Sequence, residues 1–69
     1  MKYYSNLPLI KVINIVDEKG YDLIPVKIKD KFKVYVFFNN EFLREGTILF
    51  DDYDVCLSES YRKLYKLIK

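Results

Sequence analysis

Histidine and tryptophan are absent from this chain. Cysteine, glycine and proline are scarce, with one, two and two copies in 69 residues. Without histidine, the commonest general base and the commonest metal ligand are both missing. Gly20 and Gly46 lie far apart, so no glycine-rich loop can cradle a phosphate. Ser58 and Ser60 have no base partner nearby in the sequence. These absences argue against a hydrolase or a transferase. The expectation is a non-enzymatic chain with no cofactor, no metal and no small-molecule substrate.

The single Cys56 cannot close an internal disulfide, whereas small secreted domains usually carry several. The chain therefore reads as cytoplasmic, in a bacterial cytosol or in the cytoplasm of a host cell. Cys56 sits in the apolar run 55–57 and reads as a small buried hydrophobe rather than a reactive thiol. No stretch approaches the roughly 20 apolar residues of a membrane span. Residues 1–6 are polar, and no signal peptide is expected there. The formal net charge is only +2, so bulk charge favours neither a nucleic-acid partner nor an acidic mimic of one.

The chain is rich in apolar and ring-bearing side chains: 51% of it is hydrophobic, with seven Tyr and five Phe. A domain this small buries only about 60% of its unfolded surface. An apolar content this high still allows a core without disulfide or metal staples. A single domain over residues 1–69 follows.

Turn signals cut the sequence into short apolar runs, as in a meander. Residues 9–16 (LIKVINIV) are β-branched and apolar on both faces, which predicts a central strand. Residues 17–20 form a turn with Gly20 able to take positive φ. Residues 21–29 read as a second strand, placed at an edge or starting at Val26 because Pro25 removes a ladder donor. Asp30-Lys31 is the next turn. Residues 32–38 alternate clearly, with Phe32, Val34, Val36 and Phe38 on one face and Lys33, Tyr35 and Phe37 on the other. After Asn39-Asn40, residues 41–45 fit a strand or one helical turn closed by Gly46. Residues 47–50 read as a strand, 51–54 as a polar turn and 55–57 as a short buried run.

The period then changes. Leu57, Tyr61, Leu64, Tyr65 and Ile68 recur at helical spacing, with Ser58 as N-cap and lysines near the C-terminal end. Residues 58–68 are predicted to form a short amphipathic helix, and a final hairpin is the alternative. The predicted fold is mainly β within an α+β class. It is a twisted antiparallel sheet of four or five strands, or a small SH3/Sm-like barrel, with a short C-terminal helix. Its expected core is Ile10, Val12, Val16, Ile28, Val34, Val36, Ile48, Phe50, Val55, Leu57, Leu64 and Ile68.

Three clusters bear on function. Asp51, Asp52 and Asp54 offer hard oxygen ligands, yet a calcium loop needs more of them and a glycine at its turn. A solvated turn whose carboxylates cap backbone amides is the reading the sequence favours for them. The lysines Lys27, Lys29, Lys31 and Lys33 are spaced by two beside Tyr35 and Phe37. Lysines next to exposed rings can bind single-stranded RNA or DNA, with bases stacked on rings and ammonium groups on phosphates. Lysines also guard the edges of ordinary sheets. Finally, seven tyrosines are too many to bury in so small a domain, and tyrosine is enriched at protein interfaces. Tyr21, Tyr35, Phe37, Tyr53, Tyr61 and Tyr65 are therefore the candidate protein-binding residues.

Residues 34–57 (VYVFFNNEFLREGTILFDDYDVCL) resemble part of an Sm-like protein of the bacterial Hfq type. The likeness lies in a hydrophobic strand, Asn40 at a hairpin, Gly46 in a bent second strand, then Phe50-Asp51 and 55–57. Tyr65-Lys66 is similar to the start of that family's closing signature, although Leu67 stands where its histidine would be. The resemblance implies a small barrel and RNA contact through Tyr65 and Lys66.

The function expected first is protein binding, in which the chain acts by occluding a host protein. The expected alternative is a nucleic-acid-binding barrel. A structural homo-oligomer that buries its surplus aromatics against copies of itself is the third reading. A Lys-, Asn-, Ile- and Tyr-rich vocabulary fits an AT-rich genome and the style of a phage or mobile element.

Overall fold

The computed structural model describes residues 7–68. Residues 1–6, which include Tyr3, Tyr4 and the segment expected to lack a signal peptide, and residue 69 lie outside the described residues. The described chain runs α1 (Leu9–Glu18), β1 (Tyr21–Ile28), β2 (Lys31–Phe38), β3 (Glu41–Glu45) and α2 (Tyr53–Ile68). It is an α+β fold in which a three-stranded antiparallel sheet carries both helices on one face.

The strand expected over 9–16 is a helix. Leu9, Val12, Ile13 and Val16 recur at the i, i+3, i+4, i+7 spacing of one helical face, and Val12 and Val16 are fully buried. The many β-branched residues favour a strand only weakly, and packing against the sheet outweighs that preference. Pro8 caps the start, its carbonyl accepting from the amides of Lys11 (3.0 Å) and Val12 (3.2 Å). Gly20 ends the helix in a left-handed conformation, at φ +96°, which is natural for glycine. Its N–H donates to the Asp17 carbonyl at 2.9 Å, and its own carbonyl accepts from Asn39 at 2.8 Å. This second bond fastens the end of α1 to the far end of β2.

The sheet order is β1-β2-β3. The first hairpin turns at Lys29-Asp30 rather than Asp30-Lys31, with Ile28 paired to Lys31 and Lys29 at φ 60°. The second turns at Asn39-Asn40, both left-handed (φ 52° and 70°), as a two-residue loop that matches strand twist requires. Residues 41–45 are a strand, so that choice is resolved. The strand expected over 47–50 shrinks to a single bridge. Gly46 donates to the Val34 carbonyl at 2.7 Å, residues 47–49 swing away, and Phe50 returns to exchange two bonds with Phe32 (2.7 and 2.8 Å). A Cβ on Gly46 would lie 2.9 Å from Val34 Cγ1, so this close approach needs glycine. The described residues therefore form three strands rather than four or five, and the sheet keeps β1 and β3 as open edges instead of closing as a barrel.

The C-terminal helix is present and starts five residues earlier than position 58. Asp52 is its cap: Asp52 Oδ2 accepts from the Val55 amide at 3.0 Å and Asp52 O from the Cys56 amide at 2.9 Å. Asp54 lies in the first turn and Lys66 in the last, each complementing the helix dipole. Ser58 is inside the helix, and residues 55–57 are helical rather than extended.

The core is Val12, Val16, Leu23, Val34, Val36, Cys56, Tyr61 and Tyr65. Phe50, Leu57, Leu64 and Ile68 pack partly against it, as expected. Ile10, Ile28, Ile48 and Val55 do not belong to it and are exposed. Ile10 faces outward on α1, Ile28 alternates to the uncovered side of β1, Ile48 sits in the detour, and Val55 lies on the outer face of the first turn of α2. Tyr61 and Tyr65 take the vacant space. Their neighbours are mostly small (Val12, Val16, Val34, Val36 and Cys56), leaving room for two rings. At the β1 edge, the Leu23 amide donates to the Tyr61 hydroxyl at 3.5 Å.

Candidate functional site

Strand alternation and the one-sided placement of the helices leave the opposite sheet face uncovered among the described residues. Leu23, Val34 and Val36 point into the core, so their neighbours along each strand point away from it. The cross-strand pairs on that open face are Asp22 with Phe37, Ile24 with Tyr35, Val26 with Lys33 and Ile28 with Lys31. Strand β3 adds Phe42 opposite Phe37 and Glu45 opposite Tyr35.

The result is an apolar and aromatic surface. The Phe42 ring stands edge-on to Tyr35 (5.7 Å between centroids) and to Phe37 (5.8 Å). Phe42 is 56% exposed and Ile24 44% exposed. Charges lie at the margins and are largely matched. Lys33 Nζ meets Glu45 Oε2 at 3.6 Å, and Lys31 pairs with Asp51. An apolar centre with a polar rim is the usual anatomy of a protein-binding surface.

The candidate residues divide sharply. Tyr35 and Phe37 share the open face. Tyr21 and Tyr53 lie on the helix-bearing side, where Tyr21 packs at a tilt against Phe38 (4.8 Å between centroids) and Tyr53 edge-on against Phe32 (5.8 Å). Tyr61 and Tyr65 are corrected from surface to core, because the buried face of α2 points them at the sheet. Four residues of the face escaped the sequence reading: Ile24, Val26, Ile28 and Phe42. The pattern of β1, apolar on both of its faces, carried the signal for the first three.

Of the six residues proposed for nucleic acid, Lys31, Lys33 and Tyr35 share the open face and the other three lie elsewhere. Lys27 sits across from Phe32 and so belongs to the helix-bearing side, whereas Lys33 is on the open face. Lys29 is in the turn, Lys31 and Lys33 are ion-paired, and Lys66 is on α2 beyond the other side of the sheet. The acidic cluster has local structural roles: Asp51 binds Lys31, Asp52 caps α2 and Asp54 lies in its first turn. Among the described residues, no group of three His, Cys, Asp or Glu side chains is placed to hold a metal ion.

Two groups in the core titrate abnormally. Burial pushes the Cys56 thiol up, partly offset by a hydrogen bond to Ser60. Burial also pushes the Tyr61 phenol up; the Leu23 amide pulls it back, while Asp22, Asp17 and Tyr53 add smaller upward pushes. Both groups hold their protons more tightly when folded, so the unfolded chain releases them first as pH rises. Stability is then full below the ordinary thiol value of 9.0 and falls above it. Urea midpoints are expected to hold between about pH 7 and 8.5 and to drop by about pH 10.5, with a smaller drop for Tyr61→Phe. A midpoint unchanged at the alkaline end would count against this.

No family model matches the chain, and no curated protein or solved structure matches it either. Among the described residues, no helix is long and apolar enough to cross a membrane.

Proposed function

We propose that this chain is a non-catalytic binding protein that works in the cytoplasm by covering the surface of another protein. The observation that carries the reading is the uncovered sheet face, where Phe42, Tyr35 and Phe37 form an aromatic cluster beside Ile24 and Ile28. Isolated exposed apolar residues need no explanation, but a contiguous patch rimmed by polar groups marks an interaction site. Strands β1 and β2 hold Tyr35, Phe37, Ile24 and Ile28 in place, so little ordering entropy is lost at that part of the patch on binding. A small inhibitor that occludes a host protein, of the kind a phage or mobile element carries, suits a domain whose surface is its only instrument.

A nucleic-acid reading rests on Lys33 beside Tyr35 and Phe37 on the same face. It is the weaker of the two, because Lys33 already faces Glu45 and phosphate binding depends on cations free to displace counterions. Affinity capture from a bacterial lysate, with and without nuclease, tests both. A protein recovered equally in both arms supports the proposal. Capture that vanishes with nuclease, or recovery of no protein at all, overturns it.

A further inference from the structure

The helices pack mainly on β1 and β2, and among the described residues the helix side of β3 is left largely bare. A groove of about 480 Å³ opens there between α2 and the segment from Leu43 to Phe50. Leu23, Val34 and Val36 form its floor, so the core itself is reached through it. Gly46 keeps it open, since a side chain there would press on Val34. Leu43 (53% exposed) and Ile48 (47%) flank one side, and Leu67 (75%) stands out from α2 on the other.

We infer that the groove is filled by a second copy of this chain, related by a two-fold axis, with Leu67 of each copy seated in the groove of the other. This surface is separate from the open sheet face, so the inference goes beyond the function proposed above. Two observations single out a second copy as the occupant. The patch carries a knob and a hole side by side, as an isologous contact requires, because each surface must complement itself. Its rim also carries both signs of charge, with Arg44 and Lys63 against Glu59. Among the described residues Arg44, Lys63 and Glu59 have no ion-pair partner, while Glu45 is held by Lys33. The two-fold brings the cations of one copy to the Glu59 of the other. A partner rich in either sign alone would meet like charge somewhere on this rim, whereas a second copy presents Glu59 to the cations.

Sedimentation across a concentration series tests the inference on the whole chain. The wild type is expected to reach a dimer at high micromolar concentration. Leu67→Glu should weaken the dimer by roughly tenfold or more, with an unchanged circular-dichroism spectrum because Leu67 supports nothing in its own fold. Glu59→Lys and Lys63→Glu should each weaken it, and the double exchange should restore it in part, since positions 59 and 63 again pair across the two-fold while Arg44 then meets a lysine. Phe42→Glu, on the opposite sheet face, should leave it intact while removing the captured partner of the proposed function. A wild type that stays monomeric overturns the inference, as does a dimer indifferent to Leu67→Glu. A monomer that takes up an apolar dye in a Leu67-dependent manner also overturns it, in favour of a small apolar ligand.

Discussion

Truncating Tyr61 to alanine is expected to destabilise the fold by about 3–5 kcal/mol, the usual cost of emptying a buried aromatic site. A chain of this length has only about 3–10 kcal/mol of stability in total. Tyr61→Ala should therefore leave a large unfolded fraction at ordinary temperature. The ring sits where both helices and the sheet meet, among side chains too small to close over the gap. Tyr61→Phe separates the ring from its hydroxyl. It keeps the packing but leaves the Leu23 amide without its acceptor, which is expected to cost about 1–2 kcal/mol. Urea denaturation of the two variants measures both quantities. If Tyr61→Ala fell within 1 kcal/mol of wild type, the placement of this ring in the core would be wrong.

The second large effect is expected at the open sheet face. Replacing Phe42 by glutamate puts a charge at the centre of the aromatic cluster. Central aromatic residues of an interface commonly contribute 2 kcal/mol or more, so partner affinity should fall by about 30-fold or beyond. The fold should lose far less, about 1 kcal/mol, from two edge-on ring contacts. Ile24→Glu, across from Tyr35 on the same face, provides an independent variant without those ring contacts. Capture of the partner by both variants at wild-type levels would remove this face from the binding function.

How far the sequence foretold these results depends on what each residue could reveal alone. Strict alternation over 32–38 announced β2, because one side of that strand is buried and the other is not. The double asparagine announced its turn. Residues 9–16 misled because a helix made of valine and isoleucine shows strand composition and helix spacing at once. The boundary marks Pro8 and Gly20 were the better guide. The acidic run 51–54 hid the start of α2, since aspartates that cap a helix look like aspartates in a loop. The binding surface was half legible. Tyr35 and Phe37 followed from alternation, while Phe42 needed the pairing of β3 onto β2, which no local pattern supplies. Tyr61 and Tyr65 were expected outside because seven tyrosines exceed what so small a core usually holds, and the small side chains facing α2 made room for two of them.

The bare flank of β3 also bears on motion. Strands β1 and β2 are clamped by packed helices, and the end of β2 is tied to Gly20. Among the described residues, strand β3 has one neighbour, an irregular register beside Val36 and Phe37, and an unpaired detour after Gly46. Opening therefore proceeds in steps across the sheet. In hydrogen exchange the amides of Glu41–Glu45 are expected to lose protection first, while those linking β1 to β2 persist until the whole molecule unfolds. The domain thus carries a hinged outer strand on a rigid two-stranded frame, able to adjust to an incoming surface without loosening the core.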